Sequence, residues 1–205
     1  AGDISHSSDL AILFLKILSG EFGKKVMCGR IIVVLGNHEI ANINDYEKNS
    51  ENKLTIDDIV EKYKSSFRSY AVEILHNDLL IVSAKYMSNS TKYIATSITI
   101  ISEKKLGSYS PAKLKSLCDQ SSLIVFGGLG FSGLNKDMNA SHGMYHKTIT
   151  NLKEDIKETK KFNKLYCKLN KYLKDYQLII LTHTPKDYWS DAPFNSNWIY
   201  INGHT

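Results

Sequence analysis

The chain has 205 residues, 42% of them apolar, and a net charge of +5. That is enough apolar residue for one sizeable core, nothing marks a second, and residues 1–205 read as a single domain. Lysine supplies the positive charge, Arg30 and Arg68 being the only arginines, which argues against a nucleic-acid reader built on bidentate arginine contacts to bases.

In chain order, Gly2-Asp3 presents a carboxylate at a turn. Ser8 to about Gly23 follows as a helix capped by Ser7 or Ser8, with Leu10, Leu13, Phe14, Ile17 and Leu18 on the face expected to pack on a sheet behind Asp3. Ile31 to Leu35 is a buried strand that runs into Gly36-Asn37-His38-Glu39. Asn42 to Asn52 is polar and aperiodic, a loop expected to wall a substrate site. Thr55-Ile56-Asp57-Asp58 opens a second helix whose stripe, Ile59, Tyr63, Phe67 and Tyr70, belongs to the core. His76, beside Asn77 and Asp78, reads as a turn residue.

Leu79 to Ala84 and Ala95 to Ile101 are strands, the second alternating as a half-exposed strand does. Ser110-Pro111 starts a short helix, and Ser122 to Phe126 is a further buried strand. The glycines from Gly127 to Gly133 lack the Gly-Lys-Ser/Thr of a nucleotide loop, so they read as a flexible loop, with a substrate-lining loop as the other reading. His142 and His146 read as surface residues. Residues 146–175 form a long amphipathic helix on Ile149, Leu152, Ile156, Phe162, Leu165, Leu169 and Leu173, with its lysines as a solvated face. Leu178 to Leu181 and Trp198 to Ile201 are the last two buried strands.

Strands alternating with helices make an α/β fold, and in such folds ligands bind beyond the carboxyl ends of the strands. His38, His183 and His204 each follow one of the short apolar runs within a few residues. With Asp3, Asn37 and two of these histidines converging, four segments would make one mixed oxygen and nitrogen site for a divalent metal.

The ordered set Gly2-Asp3, Gly36-Asn37-His38-Glu39, Thr182-His183 and Gly203-His204-Thr205 resembles the calcineurin-like metallophosphoesterase superfamily over nearly the whole chain. The resemblance implies a layered β-sandwich flanked by helices. It implies two divalent ions bridged by Asp3, with Asn37, His183 and His204 completing the second ion's shell. Mn2+ is placed ahead of Fe or Zn2+, since ligand type alone does not choose among them. His38 would face the substrate phosphate instead of a metal, stabilising the transition state or protonating the leaving oxygen. The chemistry suits an anionic ester: two cations neutralise it and bring a bridging water towards a pKa of about 7.

Two departures fall at the chain ends. The family's upstream Asp-x-His is absent, and Gly203-His204-Thr205 stops one residue short of the family's Gly-His-x-His. Both pieces serve the first metal, so the chain is expected to be an internal piece, incomplete at both ends, of a protein whose whole length carries the activity. Ile4-Ser5-His6 replaces the Asp-Arg-Gly of the Ser/Thr phosphatase branch, which argues against a protein-phosphatase role and leaves phosphodiesters such as cyclic nucleotides, nucleic acid or lipid-linked phosphates open. His6 is a candidate to orient His38. The alternative is an inactive scaffold of the same fold. Cys28, Cys118 and Cys167 are odd in number and scattered, which excludes a disulfide framework and points to the cytoplasm. Leu10 to Leu18, interrupted by Lys16, is too short to span a bilayer.

Overall fold

The computed structural model describes residues 2–5, 7–25, 29–40, 55–86, 93–130 and 152–203. His6, Cys28, the Asn42 to Asn52 loop, residues 131–151 with His142 and His146, and His204 lie outside the described residues.

The elements are α1 (Ser8–Lys25), β1 (Ile31–Val33), α2 (Ile56–Ser66), β2 (Val72–Ile74), β3 (Asp78–Tyr86), β4 (Tyr93–Ile101), α3 (Glu103–Ser108), α4 (Pro111–Cys118), β5 (Leu123–Gly128), α5 (Leu152–Leu173), β6 (Ile179–Thr182) and β7 (Ile199–Asn202). Strands β1 and β2 pair in parallel as a small sheet. The larger sheet runs β4-β3-β5-β6-β7; β5, β6 and β7 are parallel, and β3 is antiparallel to both of its neighbours. The fold is therefore mixed α/β with a five-stranded mixed sheet, and no helix of the described residues is long and apolar enough to cross a membrane.

Side-chain alternation along β3, β5 and β6 divides the interior. Leu79, Ile81, Ile124, Phe126 and Ile180 face a core shared with α3, α4 and α5, while Leu80, Val125 and Leu181 face Val34 and Leu75 of the small sheet. The other side of the small sheet packs Val33, Leu35, Val72 and Ile74 under Ala11 and Leu15 of α1 and Ile59 and Tyr63 of α2. The order of layers is helices, two strands, five strands, helices. Strands buried on both faces need no polar alternation, which is why β5 and β6 are apolar runs.

Local chemistry sets the helix starts. Thr55 and Asp58 form a reciprocal capping box at α2, and the Ser110 hydroxyl accepts from Lys113 N at α4, where Pro111 fills the first turn. Below the larger sheet, Phe126 stacks on Phe162 at 4.7 Å, Phe162 meets Trp189 edge-on at 4.8 Å, and Tyr166 meets Trp189 at 5.1 Å. Each such pair adds about 0.5–1.5 kcal/mol beyond area burial, and together they tie α5 to the loop after β6.

Four expectations are corrected. The stripe that begins in α2 reaches the core through Ile59, Tyr63 and Phe67 only; Tyr70 lies past the end of the helix and is exposed, its ring edge-on to Phe67. In α1 the packed face is Ala11, Ile12, Leu15 and Ser19, whereas Leu10, Leu13, Phe14 and Ile17 are exposed. The helix is apolar on more than one side, and the Ser19 hydroxyl accepting from Ala71 N fixes which side turns inward. In β7, Trp198 is buried but Ile199 and Ile201 are exposed, because they point to the face of the larger sheet that covers Ile179 and Leu181 only as far as β6. Finally, Gly127 and Gly128 are not loop. They end strand β5, where a Cβ on Gly127 would lie 2.8 Å from Leu75 Cβ and one on Gly128 2.7 Å from the Phe162 ring.

His76 is a buried turn residue whose Nε2 has no hydrogen-bond partner among the described residues. Burial pushes its pKa down, against the pull of Asp78, Asp57 and Glu103 and together with the repulsion of Lys64. The folded chain thus disfavours the imidazolium, and the unfolded chain takes up a proton below about pH 6.5. Stability is present above that pH and lost as pH falls through it, by up to about 1.4 kcal/mol at pH 5.5. Urea unfolding at pH 7.5 and 5.5 should show a smaller acid loss in His76→Phe than in the wild type.

Candidate metal centre

The centre is built from two tight turns. Residues 37–40 form one helical turn, with Ile40 N bonded to Gly36 O, so Gly36 occupies the cap position and Glu39 the third. From there the Glu39 carboxylate reaches back to Gly36 N at 2.8 Å, the return half of a capping box. It also accepts from Asp3 N at 2.7 Å, Ile4 N at 2.6 Å and Ser5 N at 3.1 Å. One fully buried carboxylate thus fastens the Gly2 to Ser5 segment onto the turn after β1. Four N–H donors also compensate its charge, as burial demands.

Glycine is required where the turns touch. A Cβ on Gly36 would lie 2.5 Å from Asp3 N and 3.0 Å from Gly2 Cα; one on Gly2 would run into the His183 ring and lie 2.6 Å from Gly36 Cα. Gly2 and Asp3 both adopt left-handed backbone, at φ +72° and +51°. Aspartate tolerates that region better than most residues, and the four Glu39 bonds hold it there.

His183 enters from β6. Its N–H donates to Leu129 O, its carbonyl accepts from Gly203 N at 3.1 Å, and the Trp189 indole Nε1–H donates to Thr184 O at 3.2 Å, so two backbone partners and one side chain fix the main chain that carries the ring. His183 and Asn37 are both buried. The Asn37 side-chain atom facing inward lies 2.9 Å from His183 Nε2 and 3.2 and 3.3 Å from the two Asp3 carboxylate oxygens. His183 Nε2 is 3.4 Å from Asp3 Oδ2.

These separations test the metal. Ligand atoms about 2.1 Å from a divalent ion and at right angles lie about 3.0 Å apart, close to the spacing of this set. With the Asn37 oxygen inward and His183 Nε2 unprotonated, acceptors from Asp3, Asn37 and His183 face one another, an arrangement that a cation relieves. With the amide turned about, its nitrogen donates to Asp3 and His183 instead, which closes the site without an ion. The donors fit a hard or borderline ion. Among the described residues His, Cys, Asp and Glu alone make no three-residue metal cluster; the amide of Asn37 is the third donor.

No protein-family model, curated protein or solved structure matches the chain.

His38 stands at the rim. Its backbone N–H donates to Asp3 Oδ1 at 3.1 Å, and its ring, partly exposed, holds Nε2 4.0 Å from Asp3 Oδ2. Of the residues expected to act, Asp3, Asn37, His38 and His183 therefore come together, and His204 lies outside the described residues, one position past Gly203. Glu39 went unassigned in the sequence; its third position in a turn capped by Gly36 was the available signal. Cys118 is a buried thiol, its pKa pushed up to about 11 by burial and then by Asp119, and Cys167 is exposed; both are unpaired and away from this centre.

Proposed function

We propose that the chain belongs to a metal-dependent phosphoester hydrolase of the metallophosphoesterase kind, acting on phosphodiesters. The observation that carries the reading is the meeting of Asp3, Asn37 and His183 at ligand spacing, with His38 beside them at the carboxyl edge of both sheets. The order of layers supports it, since the resemblance drawn from the sequence implies helices outside a two-sheet sandwich.

In this reading Asp3, Asn37 and His183 would hold the second ion, with His204 as a further ligand, and bound divalent ions, Mn2+ ahead of Fe or Zn2+, would supply positive charge for the ester and a more acidic water. The chain's own residues do the rest. The His38 backbone N–H orients the Asp3 carboxylate, while Glu39 holds its backbone. His38, partly open to solvent, gives a proton to the leaving oxygen. Ligands of the first ion would come from an Asp-x-His motif and a final His, neither of which occurs in these 205 residues.

The test is Mn2+-dependent turnover of an aryl phosphodiester and of the matching monoester, with protein expressed from its complete reading frame. His38→Ala should lower kcat on the diester by about 10²–10⁴ and leave Mn2+ affinity unchanged. Equal turnover by the variant contradicts the role of His38. Absence of metal-dependent turnover of either ester, with Mn2+ bound, favours a binding scaffold.

A further inference from the structure

The outer face of α5 carries Lys157, Lys160 and Lys164, all exposed, continued by the half-buried Lys161 and Lys168. Positions 157, 160, 164 and 168 recur at three- and four-residue steps, one cation about every 5–6 Å along the helix. One groove, of about 320 Å³, opens on this row between α3 and α5 and is lined by Lys104, Lys161, Lys164 and Lys168 together with Glu103; Lys157, Lys160 and Ile156 continue it as an open surface along α5.

Among the described side chains, the two acids beside the row are already engaged. Glu158 and Glu103 both face Lys161, at 3.1 and 3.5 Å, and Glu103 also accepts from Asn77. Lys168 donates to Leu106 O and Gly107 O at the end of α3 and is pinned there, its pKa lowered by burial and by Lys164. The spacings 157 to 161, 160 to 164 and 164 to 168 set like charges one turn apart, each costing the helix a few tenths of a kcal/mol. A solvated face gains nothing from that arrangement; a partner with closely repeated negative charge does.

We propose that this row and its groove bind the phosphate backbone of nucleic acid. The lack of arginine fits contact with phosphates as point charges and not reading of base edges. A lipid surface fits poorly, because the apolar face of α5 is spent on the core: Phe162, Leu165, Leu169 and Leu173 are buried. Position adds a consequence. Helix α5 connects the parallel strands β5 and β6, and Phe162 packs at Gly128, the last residue of β5 and the register partner of Thr182 beside His183. Lys157, Lys160 and Lys161, which precede Phe162 in α5, therefore lie towards the end of the sheet on which His183 lies. The row leads a polymeric phosphodiester towards the metal centre; that last step rests on the proposed hydrolase reading, whereas binding does not.

The test is fluorescence anisotropy of a labelled mixed-sequence oligonucleotide, single- and double-stranded, in EDTA across a range of salt. The wild type should bind with an affinity that falls steeply with salt. Lys157→Gln, Lys160→Gln and Lys164→Gln combined should reduce the log–log salt slope by about 3 and leave Mn2+ affinity unchanged. No salt-dependent binding by the wild type, an unchanged slope in the triple variant, or equal binding to vesicles of anionic lipid would each overturn the proposal. Because EDTA removes metal chemistry, its failure is separate from failure of the hydrolase reading.

Discussion

Glu39→Ala should be the most damaging single change at the centre. It strips the acceptor from Gly36, Asp3, Ile4 and Ser5 N–H groups at once, in a position where the carboxylate itself is fully buried. Each buried donor left without a partner costs about 1–3 kcal/mol. Because Asp3 to Ser5 can swing out to water, the donors would not all stay buried, and a total loss of about 3–5 kcal/mol is expected. The swing removes Asp3 from Asn37 and His183, so Mn2+ affinity should also drop, by about 10–100-fold, the scale for groups that orient metal ligands. Urea unfolding and calorimetric Mn2+ titration check the two effects. Loss of stability with unchanged metal affinity would mean that Asp3 is held by something other than Glu39.

Gly36→Ala attacks the same joint sterically. The new Cβ meets backbone, 2.5 Å from Asp3 N and 3.0 Å from Gly2 Cα, and no side-chain rotation relieves a clash with main chain. Overpacking of this kind costs about 1–3 kcal/mol. Here the displaced groups are Asp3 and Gly2, so Mn2+ binding should fall below detection in a chain that still unfolds cooperatively. Two matched substitutions calibrate it. Gly20 in α1 and Gly107 in α3 have no atom within 4 Å of a Cβ, and alanine there should stabilise by about 0.5–1 kcal/mol through helix propensity. If Gly36→Ala behaves as Gly20→Ala does, the two turns are not in contact.

Most strands legible from the sequence are apolar runs with cover on both faces, whereas β4 was legible from its alternation. The runs at Ile31, Leu79, Ser122 and Leu178 needed no alternation to be recognised, because neighbours cover them on either side. What residue type could not decide was which apolar side of a doubly apolar element turns inward. Leu13 and Phe14 are as apolar as Ile12 and Leu15, and the tertiary bond from Ala71 N to Ser19 broke the tie. Strand β2 has only three residues after a turn, and α3 buries only Leu106, so neither carries enough pattern to be seen.

In the centre, Asp3, Asn37, His38 and His183 were singled out because each ends an apolar run or stands at a glycine turn. Glu39 escaped because its partners are backbone N–H groups, which leave no mark on the sequence beyond a position in a turn. Gly2 and Gly36 were noted only as members of motifs. Their role, clearance for one backbone against another, depends on two turns 34 residues apart meeting in space.

The most direct measurement is anomalous diffraction at the manganese edge from crystals soaked in Mn2+, of the wild type and of His183→Ala. The account predicts a wild-type peak within bonding distance of a carboxylate oxygen of Asp3, the Asn37 carboxamide oxygen and His183 Nε2, lost in the variant. A peak elsewhere, a peak that survives His183→Ala unchanged, or no peak with Asn37 donating its amide nitrogen to Asp3 would contradict it.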